Sequence, residues 1–163
     1  MDFRAEDYFQ AGTERMAQSR SLFTHHIGYA LAMYCAGLAV ECILRAFRWR
    51  KDQSFEGRHD LEDLLKASRL LALHDEHMRR KGVSPEKIQD HALGLRAALA
   101  EVVALWHNNF RFASEARLRA FLRQIRRLQG IKGDALKKNA SDLLNAAQLI
   151  VDQGVALWTF AKK

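Results

Sequence analysis

Near the middle of the chain, "LWHNNFRF" sets His107, Asn108, Asn109 and Arg111 together at the end of a predicted helix. Asn amides can read a base or a ribose, and His and Arg can both meet a phosphate, so the types present suit a nucleotide-containing ligand. The same residues also suit a structural task. They can cap the helix and anchor the turn into the next one, with Trp106 and Phe110 in the core.

A second concentration lies downstream. At helical spacing Leu118, Phe121, Leu122, Ile125 and Leu128 share one face, and Arg119, Arg123, Arg126 and Arg127 gather on the opposite one. Lys132, Lys137 and Lys138 extend the positive stretch. Such a face binds phosphates by releasing counterions, or it is simply a solvated helix face. The formal charge of +7 over 163 residues makes an acidic partner, RNA or another polyanion, a natural expectation.

Glu41 poses a different problem, because it sits inside "YALAMYCAGLAVECILRAFRWRK", the most apolar run of the chain. Its charge can be met locally by Arg45 at i, i+4, or by an arginine from another helix, such as Arg111. Cys35 and Cys42 lie two turns apart on one helix face, too far for a mutual disulfide, and read as buried thiols of a reducing compartment.

These residues have to be positioned by helices. One proline in 163 residues, scattered glycines and abundant Ala, Leu and Arg favour helix over strand, and the length suits one domain over 1–163 with one core. Apolar periodicity predicts a first helix over 5–23 and a central second over 27–50, whose small residues Gly28, Ala32 and Ala36 allow another helix to approach closely. That stripe suits packing within the subunit or a dimer contact.

Asp60 can cap a third helix; in "KGVSPEK" Gly82 ends it, and Ser84 and Pro85 start a fourth reaching Trp106. Ser114 caps a fifth, and Gly130 to Gly133 precede a last helix ending near Phe160. The expected fold is an all-α, up-and-down bundle of about five to six helices.

Several classes find no support in the residues. There is no phosphate-cradling glycine loop, no paired-Cys metal pattern and no Ser-centred elbow, so no cofactor and no metal is implied. The opening "MDFRAEDYFQ" lacks the apolar core of a secretory signal, which leaves a cytoplasmic location as the expectation. No charged side chain other than histidine occurs between Arg20 and Glu41, but Ser21, Thr24, His25, His26 and Gly28 interrupt that gap. A buried bundle helix fits it better than a membrane span.

The combination of "YCAGLAVECILRAF", "RHDLEDLL" and "LWHNNFRF" resembles the HEPN superfamily of helical domains over about residues 5 to 160. That resemblance implies a homodimer with a cleft, RNA as ligand, and a toxin-antitoxin or defence setting in which a nucleotidyltransferase or antitoxin is the partner. His107, Asn109 and Arg111 would then line the cleft.

Many HEPN proteins cleave RNA without metal through an Arg followed after four to six residues by His. Here that spacing joins Arg20 to His25 or His26 in "RSLFTHH", and Arg69 to His74 in "RLLALH". On this reading Arg20, His25 and His26 are the catalytic candidates. A turn between helices with one exposed ring is the plainer account of the two histidines. The third class left open is a noncatalytic interaction and dimerisation module.

Overall fold

The computed structural model describes residues 3–25, 28–53 and 59–160, and these form seven α-helices and one 3₁₀ turn with no strand among them. Helix α1 is Ala5–Thr24 and α2 is Tyr29–Trp49, close to the predicted bounds. Asp7 accepts from the Arg4 amide at 2.7 Å and, with Glu6, puts acid in the first turn of α1, where the helix dipole favours it.

Small residues let α1 lie close on α2. Ala32, Ala36 and Ala39 are fully buried, and the Ser19 hydroxyl donates to the Ala32 carbonyl at 2.8 Å. Gly28, the first member of the predicted stripe, stands just before the helix and takes no part in this approach. A Cβ on Gly12 would come within 2.9 Å of Ile43. With residue 12 near 43 and 19 near 32, the two helices run antiparallel.

The last helix, α7 (Ala135–Trp158), runs beside α2 in the same direction. A Cβ on Gly154 would sit 2.4 Å from Ile43 Cγ2, and Phe47 meets Trp158 edge to face at 5.3 Å between centroids. Ile43 is therefore held between two helices that each present a glycine to it. Phe9 stacks on Trp158 at 4.3 Å, which brings the N-terminal end of α1 to the C-terminal end of α7.

The helix count exceeds the expectation because the predicted third helix is two, α3 (Leu61–Ser68) and α4 (Leu70–Arg80). Arg69 between them takes a left-handed φ of 56°. Ser68 makes the break locally favourable: its hydroxyl donates to the Leu65 carbonyl at 2.8 Å and accepts from the Leu70 amide at 3.2 Å, replacing helical partners. The other punctuation follows the sequence. Asp60 accepts from the amides of Glu62 and Asp63, each at 3.0 Å.

Gly82 ends α4 at φ 73°, and α5 (Pro85–Leu105) opens with Pro85 at its first position. The Ser114 hydroxyl accepts from Arg117 N at 3.2 Å to start α6 (Glu115–Gln124).

One core of buried residues draws on all seven helices. Helix α2 is long and apolar enough to cross a bilayer, yet 78% of that stretch is buried inside the protein. Its mid-section also receives the end of α5: Trp106 donates its indole N–H to the Tyr34 carbonyl at 3.2 Å and lies over Gly37, where a Cβ would come within 2.1 Å of the ring. Gly37→Ala must displace that ring and should cost about 2 kcal/mol of stability. Gly94→Ala, in a helix interior with open space around it, should gain up to about 1 kcal/mol. Urea unfolding midpoints of the two variants, moving in opposite directions, check both.

A candidate nucleic-acid interface around the His107 turn

Once Trp106 turns into the core, the backbone leaves the helical region at φ −102° and ψ 142°, and α5 stops. His107 then starts the 3₁₀ turn Asn108–Phe112, its Nδ1 accepting from the Asn109 amide at 3.1 Å. In the neutral ring an accepting Nδ1 leaves the proton on Nε2. Phe110 plugs the core at 5% exposure, edge to face with Phe121 at 5.2 Å. With that anchor buried, the next side chains are forced outward: Phe112 is 78% exposed and carries the Arg111 guanidinium 4.7 Å from its ring centroid.

Glu41 is buried at 2% exposure. Arg45 Nε donates to its carboxylate at 2.7 Å, and His59 Nδ1 lies 2.8 and 2.9 Å from its two oxygens. The local partner Arg45 is as the spacing suggests, but the second is His59 and not Arg111, which the burial of Phe110 leaves at the surface. A carboxylate accepts only, so His59 carries a proton on Nδ1 and, in its neutral form, turns a lone pair on Nε2 away from Glu41. Asp60 caps α3 from the adjoining position, so His59 is held by its own bond to Glu41 and by the capped residue that follows it.

The His107 turn separates two grooves. One, of about 650 Å³, is lined by His59, Asp60, Glu62, Trp106, His107 and Asn109 among others; the second, of about 430 Å³, by His107, Asn109, Phe112, Arg117, Phe121 and Gln124. The predicted His107–Asn109 pair is shared by both. The first wall is rich in acceptors, and the second joins an aromatic platform to the Arg117 cation.

The remaining predicted residues are elsewhere. Arg20 fastens α1 to α7, donating to Gln148 Oε1 and Asn145 Oδ1 at 3.2 Å each and to the Leu144 carbonyl at 3.4 Å. His25 is exposed with Nδ1 2.8 Å from the Ser21 carbonyl, and His26 lies outside the described residues. Arg69 forms the α3–α4 break, and His74 is buried with Nδ1 3.2 Å from Asp75.

Arg119, Arg123 and Arg126 are exposed, but the expected four-arginine face is not one helix face. Helix α6 ends at Gln124. Arg126 takes φ 60° while the amides of Arg126 and Arg127 reach back to Arg123 and Leu122, closing the helix as glycine usually does. Arg127 is turned to α5 and donates to Glu101 at 2.6 Å.

Sequence reasoning missed His59 and Arg117 as site residues. The available signal was the unanswered charge of Glu41 followed by the His of "RHDLEDLL", and the position of Arg117 three residues beyond a capping serine. Among the described residues no three His, Cys, Asp or Glu side chains are placed to hold a metal ion. Comparison of the chain with family models, curated proteins and solved structures finds no match.

Two consequences follow from the buried carboxylate. Glu41→Gln leaves Arg45 and His59 without their anion and should cost about 2 to 3 kcal/mol, whereas His59→Asn, which keeps a donor at a half-exposed position, should cost no more than about 1 kcal/mol. Urea unfolding of both would give the reverse order if the bond to His59 carried the fold.

The second consequence concerns Cys42, whose thiol is pushed up from 9.0 to about 11, by burial first and by the neighbouring Glu41 charge next. Below pH 9 both folded and unfolded forms keep the proton. As pH rises from 9 through 11 the unfolded chain loses it first, so stability should fall across that window. Thiol labelling of native protein at pH 8 should be slow and should become fast on adding denaturant.

Proposed function

We propose that this chain is a HEPN-like RNA-binding module that holds single-stranded RNA across the His107 turn. The observation that carries this is the exposed Phe112 ring with Arg111 stacked over it, beside a groove that also contains His107, Asn109 and Arg117. An exposed aromatic costs solvation free energy unless something covers it, and a nucleobase is a flat partner that leaves the adjoining cations to meet its phosphates. Arg119, Arg123 and Arg126, exposed further along the chain, add sequence-independent attraction.

The resemblance to HEPN domains supplies the setting of this proposal, a homodimer in a toxin-antitoxin or defence module. Base stacking favours RNA over an acidic protein, because an acidic peptide would use the arginines and leave Phe112 idle.

Fluorescence anisotropy with a labelled single-stranded RNA tests it. Phe112→Ala should weaken binding by roughly tenfold, within the range for one stacked base. Arg123→Glu with Arg126→Glu should flatten the plot of log affinity against log salt by at least about 1.4, at about 0.7 for each phosphate no longer neutralised. Binding that ignores both salt and Phe112 would remove the proposal.

A further inference from the structure

We infer that the groove on the His59 side of the turn is a guanine-selective base pocket. The inference rests on the RNA-binding reading and adds to it the identity of the base.

The groove's hydrogen-bonding groups are fixed by their neighbours. His59 gives Nδ1–H to Glu41, so in the neutral ring its other nitrogen accepts. Asp60 and Glu62 are carboxylates and accept only; Asp60 Oδ1 is occupied by the Glu62 and Asp63 amides. His107 is set the opposite way, its Nδ1 accepting from Asn109 and its Nε2–H left to donate. The groove therefore sets the carboxylates of Asp60 and Glu62 and the neutral His59 Nε2, as acceptors, against the His107 Nε2–H and the Asn108 and Asn109 amides on the turn, with Leu61, Val103 and Trp106 supplying apolar wall for a flat ring.

Carboxylates at the mouth repel a phosphate, so the ligand's anionic part belongs elsewhere, and Arg117 lines the groove across the turn. What remains for the His59 side is a base. Guanine presents one acceptor, O6, beside two donors, N1–H and the N2 amine. Uracil offers one donor between two acceptors, cytosine one amine donor and two acceptors, and adenine one amine donor beside one acceptor.

Guanine alone sets two adjacent donors against the accepting side formed by His59, Asp60 and Glu62, while its O6 takes the His107 proton. A hydrogen bond from guanine to a carboxylate is also the charge-assisted kind, stronger than a neutral pair. A groove of about 650 Å³ has room for the base and its ribose.

The experiment is competition binding on the full chain with four probes: a short all-uridine RNA, the same RNA with one central guanosine, the same with one inosine, and free guanosine monophosphate. The guanosine RNA should bind at least about tenfold tighter than the all-uridine one, with inosine, which lacks the N2 amine, in between. In Glu62→Gln, whose side chain is exposed so that the fold is safe, the guanosine-to-uridine ratio should fall to about one. His59→Asn should lower the same ratio.

Tight RNA binding with no base preference would overturn the pocket and leave the RNA reading standing. Binding of the mononucleotide without binding of any RNA would keep the pocket and assign it to a free guanine nucleotide. No binding of any of the four would remove both.

Discussion

A single buried carboxylate organises the region around the candidate site. Glu41 sits in the middle of the central helix at 2% exposure, and an unpaired charge there would cost several kcal/mol. Arg45, one turn on, answers part of it, and His59 comes from the loop that begins α3. The contacts of Glu41 thus do more than neutralise a charge. They tie a segment that follows α2 back onto α2, and orient the His59 ring with Nδ1–H toward the carboxylate.

The opposite wall of the groove depends on a steric device instead. Gly37 leaves room for Trp106, and with Trp106 seated α5 has to end where it does. The chain beyond it then alternates between one buried anchor, Phe110, and the outward residues on either side. His107 and Asn109 face solvent, and Phe112 is exposed, because Phe110 is not. A polar cap and an exposed ridge are here the same residues. The competing sequence interpretations of "HNNFRF" describe two ends of one turn, its main-chain bonds and its side-chain surface.

Much of the scaffold was legible because it rests on local chemistry. Asp60 and Ser114 as caps, Gly82 as a stop, Pro85 as a first residue and the apolar faces of α1, α2, α5 and α7 all act within a few positions of themselves. Where reading failed, the cause was either a weak local competitor or a distant partner. Nothing in the spacing of Leu61 to Leu71 warns that the Ser68 hydroxyl will take over backbone bonds and send Arg69 left-handed. Likewise a periodic pattern through Arg126 and Arg127 hides a helix that closes at Gln124. That Glu41 needs a cation is legible, but the choice of His59 over Arg111 is decided by three-dimensional placement, which spacing along the chain does not contain.

The arginines show why net charge alone is a poor guide to a binding surface. Arg20, Arg50 and Arg127 hold helices together, through side-chain amides, carbonyls and a carboxylate, and Arg45 answers Glu41 within α2. Arg111, Arg117, Arg119, Arg123 and Arg126 are exposed, and all five lie between the end of α5 and the start of α7. The first group is engaged in those bonds; the second contributes little to stability, since exposed ion pairs are worth under about 1 kcal/mol, and on the proposed reading it is the group that meets a polyanion. That segment thus carries five exposed arginines, though Lys66, Arg69, Arg79, Arg80, Lys81, Lys87 and Arg96 are exposed elsewhere. The acceptor-lined groove lies on the far side of the His107 turn, so on the proposed reading attraction for phosphate and selection of a base would act on neighbouring parts of one strand.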